Sequence, residues 1–172
     1  MKLIGIDPGL TATGWGVVVA TDNRLRHVGD GVVRSDPSHA LSERLHELYR
    51  GLAAVIEDHR PDVAAVEETF VNRNPASALK LGQARGALLL TAAMFGLPVH
   101  EYAANAIKKA VVGVGHADKQ QVRVMVGMLL PGSERASSDA ADALAVAICH
   151  AHRAATIERW QSGARVAGGH AR

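Results

Sequence analysis

What this chain can fold into is constrained most by its start, Lys2-Leu3-Ile4-Gly5-Ile6-Asp7, and by the Pro8-Gly9 turn behind it. Leu3, Ile4 and Ile6 make a short apolar run without clean alternation, the pattern of a strand covered on both faces. Asp7 closes that run. Burying a carboxylate costs several kcal/mol unless it is paired or binds a metal. Pro8-Gly9 turns the chain sharply, which holds Asp7 at the rim of a sheet. On this stretch alone two roles are open to Asp7: a functional carboxylate, or an Asx-type hydrogen bond to the turn.

A length of 172 residues, 48% of them hydrophobic, predicts one globular domain with a proper core. The longest mostly apolar run, 86–97, falls short of the roughly 20 residues a membrane-spanning helix needs. The N-terminus enters a strand directly, which predicts no signal peptide. Cys149 is the one cysteine, so no internal disulfide can form, in keeping with a reducing cytoplasm. The net charge of +2 is unevenly spread: from Arg153 onward four arginines face Glu158 alone, leaving the tail at +3 and the rest at −1. A weakly acidic body with a basic tail suits a polyanionic partner, although many solvated tails share this composition.

Periodicity predicts strands over 13–19 and 25–33 joined by an Asp22-Asn23 turn, then an amphipathic helix over 38–59 stopped by Arg60-Pro61-Asp62. A buried strand over 63–66 runs into Glu67 and Glu68. A helix over 75–95, a strand over 99–103 and helices over 105–112, 118–130 and 137–153 complete the pattern. Residues 1–153 are thus expected to form the domain, and 154–172 a basic, disordered tail. Three strands followed by alternating helices and strands predict an α/β fold. Its first three strands should be antiparallel neighbours, with crossovers to the rest and a ligand site beyond the carboxyl ends of the parallel strands.

The acids fall where such a site would be. Glu67 ends its strand as Asp7 does. Asp139 and Asp142, spaced i,i+3, share one face of a helix otherwise made mostly of alanine, leucine and valine. Asp139 alone is explained by the helix dipole; Asp142, deeper in the apolar helix, is not. Four converging carboxylates would repel one another, and hard divalent cations such as Mg²⁺ resolve this with oxygen ligands. Two such ions about 3.5–4 Å apart suit in-line phosphoryl displacement. Zinc fits poorly: Cys149 has no second cysteine, and His150 and His152 point differently on their helix.

Four stretches, Ile4-Gly5-Ile6-Asp7-Pro8-Gly9, Val66-Glu67-Glu68-Thr69-Phe70, Ala78-Leu79-Lys80-Leu81-Gly82-Gln83-Ala84-Arg85-Gly86 and Asp139-Ala140-Ala141-Asp142-Ala143-Leu144-Ala145, resemble the signatures of the RuvC family of bacterial Holliday-junction resolvases. The likeness spans 1–152. It implies a ribonuclease H-like fold, with a five-stranded mixed sheet flanked by helices. It also implies a homodimer and Mg²⁺-dependent paired nicking of four-way DNA junctions, with two ions per site and Mn²⁺ as a substitute. RuvA and RuvB are the implied partners. Residue by residue, the resemblance puts Asp7, Glu67, Asp139 and Asp142 in the metal site and Lys108 and Lys119 beside the scissile phosphate. Glu68 stands where the family can carry glutamine.

Further DNA contacts are expected from Phe70, placed to stack on an unpaired base for about 1–3 kcal/mol, and from Arg73, Lys80, Arg85 and Arg123 on phosphates, against a default of solvated surface. Lys119, a cation in the first turn of a helix, suggests a phosphate partner. Gly113, Gly115 and His116 either admit a backbone close to DNA or merely turn the chain. Ala78, Gly82 and Gly86, four apart, form a row of small residues that suits a dimer interface or packing on the protein's own sheet. Two other functions remain open: an ATPase with a D-x-G-x-T loop at Asp7-Pro8-Gly9-Leu10-Thr11, and a silent junction-binding module.

Overall fold

In the computed structural model, residues 1–22, 24–68 and 74–168 are described, with side chains to residue 155. The sheet has five strands, β1 (Lys2–Asp7), β2 (Ala12–Thr21), β3 (Arg24–Arg34), β4 (Val63–Glu67) and β5 (Val99–Tyr102), in the order β3-β2-β1-β4-β5. β1, β2 and β3 pair antiparallel, and β4 and β5 join in parallel, as the order of elements predicts. The five-stranded mixed sheet flanked by helices that the resemblance implies is the observed one.

Helices cover both faces. α1 (Leu41–His59) and α2 (Pro75–Met94) enclose Ile4, Ile6, Val17, Ala64 and Val66. α3 (Ala104–Val112), α4 (Lys119–Leu129) and α5 (Ser138–Gly168) enclose Leu3, Val18, Val63 and Ala65. The absence of alternation in β1 follows: even positions meet one helical layer and odd positions the other.

α5 lies unusually close to the sheet because glycines pave the strands beneath it. A Cβ on Gly5 would stand 2.1 Å from the Ala143 carbonyl oxygen, one on Gly14 1.9 Å from that of Asp139, and one on Gly16 2.5 Å from Leu144. The helix therefore rests its backbone on β1 and β2, a close approach that any side chain would prevent.

Several boundaries differ from those the sequence predicts. α1 starts at Leu41 rather than 38, because the Ser38 amide and hydroxyl both donate to Asp36 Oδ1 and make a turn instead. α5 runs to Gly168, past the expected end near Arg153 and through most of the expected disordered tail. Ala154 and Ala155 continue it with good helix formers and no proline intervenes. In the turn before β3, Asp22 adopts φ 53°, and Asn23 lies outside the described residues. Among the described residues no helix is long and apolar enough to cross a membrane.

Candidate active site

The site is built at the rim where β1 and β4 end. Their parallel register pairs Leu3 with Val63 and Ile6 with Val66, so Asp7 and Glu67 come next, side by side. By the two-residue period both point to the α5 face, with Leu3, Val63 and Ala65. The turn after Asp7 is cinched by Thr13, whose hydroxyl donates to the Gly9 carbonyl at 2.7 Å and accepts from the Gly9 amide at 3.3 Å. α5, seated on Gly14 and Gly16, brings Asp142 over the same rim.

Asp7, Glu67 and Asp142 line one cavity of about 280 Å³ together with Lys108 of α3 and Lys119 of α4; Ile107 and Val122 form its apolar wall. A groove between α4 and α5, lined by Arg123, Met128 and Glu134, shares Lys119 and Asp142 with it. Lys119 Nζ donates to Asp142 Oδ2 at 3.0 Å. α4 begins at Lys119 behind an Asp118 cap, whose side chain accepts from the Gln121 amide at 2.8 Å. The position of a cation in this first turn is explained by Asp142 without a phosphate.

Burial, then the charges of Glu67 and Asp142, push the Asp7 carboxyl up to about 8. Burial and Asp142 also raise Glu67, opposed by a hydrogen bond from Asp7 and by Lys119 and Lys108. The bond to Asp142 holds the Lys119 ammonium above its usual range. Burial and close carboxylates thus favour the protonated form of Asp7, and a divalent cation would relieve the same repulsion.

The donor set suits a hard cation: among the described residues lining the cavity there are carboxylate oxygens and no thiolate or imidazole. Among the described residues no three His, Cys, Asp or Glu side chains converge closely enough to enclose a metal ion by themselves. Mg²⁺ does not require that, because it keeps several waters and shares substrate phosphates with one or two protein carboxylates.

The family model described as crossover junction endodeoxyribonuclease RuvC matches residues 3–150. This chain belongs to the RuvC family. It is 63% identical over 159 residues to the crossover junction endodeoxyribonuclease RuvC of Paramagnetospirillum magneticum, covering 92% of this chain and 96% of that one. To the same-named protein of Rhodospirillum rubrum it is 60% identical over 152 residues, 88% of this chain and 90% of the other. Among solved structures, Thermus thermophilus RuvC in complex with Holliday junction substrate superposes with a TM-score of 0.84 at 37% identity, over 91% of this chain and 96% of that one.

Within this RuvC family member, the tertiary structure brings Asp7, Glu67, Asp142, Lys108 and Lys119 to one cavity. Asp139, one helical turn before Asp142, stays outside the cavity lining; its charge acts on Asp7 less than those of Glu67 and Asp142. Phe70 and Arg73 lie outside the described residues. Arg85, expected on phosphate or in solvent, is instead engaged within the protein: Nε donates to the Glu67 carbonyl oxygen at 3.3 Å and the guanidinium pairs with Glu101. No periodicity in the sequence could have shown this, because the contact joins α2 to the ends of two strands.

Proposed function

We propose that the chain is a structure-specific DNA endonuclease that resolves four-way junctions by paired, symmetric nicks, in homologous recombination and recombinational repair. The observation that carries the reading is Asp7, Glu67 and Asp142 meeting two lysines in one cavity at the carboxyl ends of parallel strands, in a chain matched to the RuvC family over residues 3–150. Relatives named crossover junction endodeoxyribonuclease, and a similar structure bound to a Holliday junction, support the same substrate here.

Asp7, Glu67, Asp139 and Asp142 are the proposed ligands of two Mg²⁺ ions, with Mn²⁺ as a substitute. When bound, the ions supply Lewis-acid charge at the scissile phosphate and lower the pKa of an attacking water. The protein's own part is to place anionic oxygens at the rim and to set Lys119 and Lys108 beside them, where negative charge develops on the phosphate. Phe70 is proposed to stack on an unpaired base and Arg73 to contact a phosphate. Membership of the RuvC family favours this reading over an ATPase.

Two symmetric nicks require two sites, so a two-fold homodimer is proposed. Gly82 and Gly86 support α2 as its interface: a Cβ on either would meet nothing within 4 Å, so neither packs on the protein's own sheet. Leu79, Leu90 and Met94 are exposed on the same helix. RuvA and RuvB are the proposed partners, the cytoplasm is the proposed compartment, and residues 1–153 are the proposed nuclease domain. The decisive experiment is nicking of a synthetic four-way junction in Mg²⁺ against a linear duplex. Symmetric nicks confined to the junction are expected; equal cutting of the duplex, or none of the junction, overturns the proposal.

A further inference from the structure

We infer that Arg85 is a positioning residue for Glu67, acting from α2 on the end of β4 rather than on DNA. The inference rests on the proposed role of Glu67 as a metal ligand. β4 ends at Glu67, where the chain leaves the sheet. On one side that end is held by β5: Glu67 pairs with Tyr102, and the Glu68 amide donates to the Tyr102 carbonyl at 2.9 Å. It is also held by Arg85, whose Nε reaches the Glu67 carbonyl oxygen while its terminal nitrogen pairs with Glu101 of β5.

The guanidinium thus bridges the last residue of β4 and a side chain of the neighbouring strand. The planar fork of arginine suits two such contacts, and a lysine ammonium on its flexible stem does not reproduce them. The side chain is only 21% exposed, and the buried Ala84 and Leu88 on the same helix fix its depth against the sheet. With its donors turned inward, the group is poorly placed to reach a phosphate. Its effect is on the backbone that aims the Glu67 carboxylate, and outer contacts of this kind set ligand orientation.

The test compares Arg85→Ala, Arg85→Lys, Glu101→Gln and Glu67→Gln. Four quantities are read: the Mg²⁺-induced rise in melting temperature without DNA, the Mg²⁺ half-saturation of nicking, kcat, and junction affinity in EDTA. Arg85→Ala is expected to raise the half-saturation by about 10-fold or more, lower kcat, shrink the Mg²⁺-induced rise and leave junction affinity unchanged. Arg85→Lys should recover part of this loss. Glu101→Gln, at a more exposed position and so tolerated by the fold, should shift the half-saturation the same way by less.

A loss of junction affinity with unchanged Mg²⁺ response would show a phosphate contact and overturn the inference. A lowered melting temperature with unchanged Mg²⁺ response would show support of the fold alone and overturn it too, as would wild-type behaviour of both Arg85→Ala and Glu101→Gln while Glu67→Gln is inactive. If Glu67→Gln itself keeps its Mg²⁺ response and nicks at the wild-type rate, the metal-site reading beneath the inference fails instead.

Discussion

Lys119 Nζ lies 3.0 Å from Asp142 Oδ2, an ion pair between the first residue of α4 and the second turn of α5 at the mouth of the carboxylate cavity. The lysine side chain is 78% exposed while the aspartate is 21% exposed. The ammonium is therefore on the solvent side, where a phosphate would approach. Lys119→Ala should leave Mg²⁺ binding in place and lower turnover by roughly 10²-fold, the usual cost of removing one preorganised donor. Junction affinity should fall modestly, with a salt dependence shallower by up to about one charge. Single-turnover nicking and binding across a salt series measure both.

Asp7→Asn and Asp142→Asn should each abolish nicking while junction binding stays intact or strengthens, because an amide is a poor substitute for a carboxylate toward Mg²⁺, and at Asp142 one repulsive charge is gone as well. In wild type, Mg²⁺ should raise the melting temperature by mass action; in Asp7→Asn that rise should vanish. Differential scanning calorimetry with and without Mg²⁺, beside a junction-binding assay, gives both readings. Asp7→Asn that nicks at the wild-type rate would end the metal-site proposal.

Gly14→Ala tests the seating of α5. The new Cβ would stand 1.9 Å from the Asp139 carbonyl oxygen, so the helix or the strand must move. Overpacking of this kind costs about 1–3 kcal/mol. Because α5 carries Asp139 and Asp142, nicking should fall further than stability does. Urea unfolding measured beside nicking separates the two effects.

Gly82→Leu adds bulk where nothing lies within 4 Å of the missing Cβ. The protomer should keep its fold and its circular dichroism spectrum, while sedimentation shifts from dimer to monomer. An intact dimer would remove this helix from the interface.

His150 supplies a pH dependence remote from the carboxylates. It is buried, 6% exposed, with Nδ1 2.8 Å from the Tyr102 hydroxyl and the His100 ring 4.7 Å away; Arg153 lies over the Tyr102 ring. Burial, then His100, lowers its pKa from 6.5 to about 4. The folded state thus disfavours the protonated ring. The stability this contributes is present above about 6.5 and is lost as pH falls through about 4. The acid-side loss should be on the order of 3 kcal/mol at most, and His150→Gln should flatten it. Melting curves between pH 4 and 7 that run parallel for the two proteins would refute the buried neutral histidine.

The sequence by itself determined the elements and the placing of the acids along them. Strand and helix periods, the Pro8-Gly9 turn and the i,i+3 spacing of Asp139 and Asp142 are local features, set by backbone geometry within a few residues. Those same features carried the likeness to the RuvC family and the sheet of five strands. Tertiary structure alone decided what no local period encodes. Register and side-chain parity turn Asp7 and Glu67 to one face. The glycine surface of β1 and β2 lets α5 settle close enough to bring in Asp142 while leaving Asp139 at the edge. Arg85 turns inward to Glu67 and Glu101, and Lys119 finds Asp142, because contacts between distant elements depend on how they pack. Gly5, Gly14 and Gly16 are the clearest case: only the helix lying across them shows why a side chain there has no room.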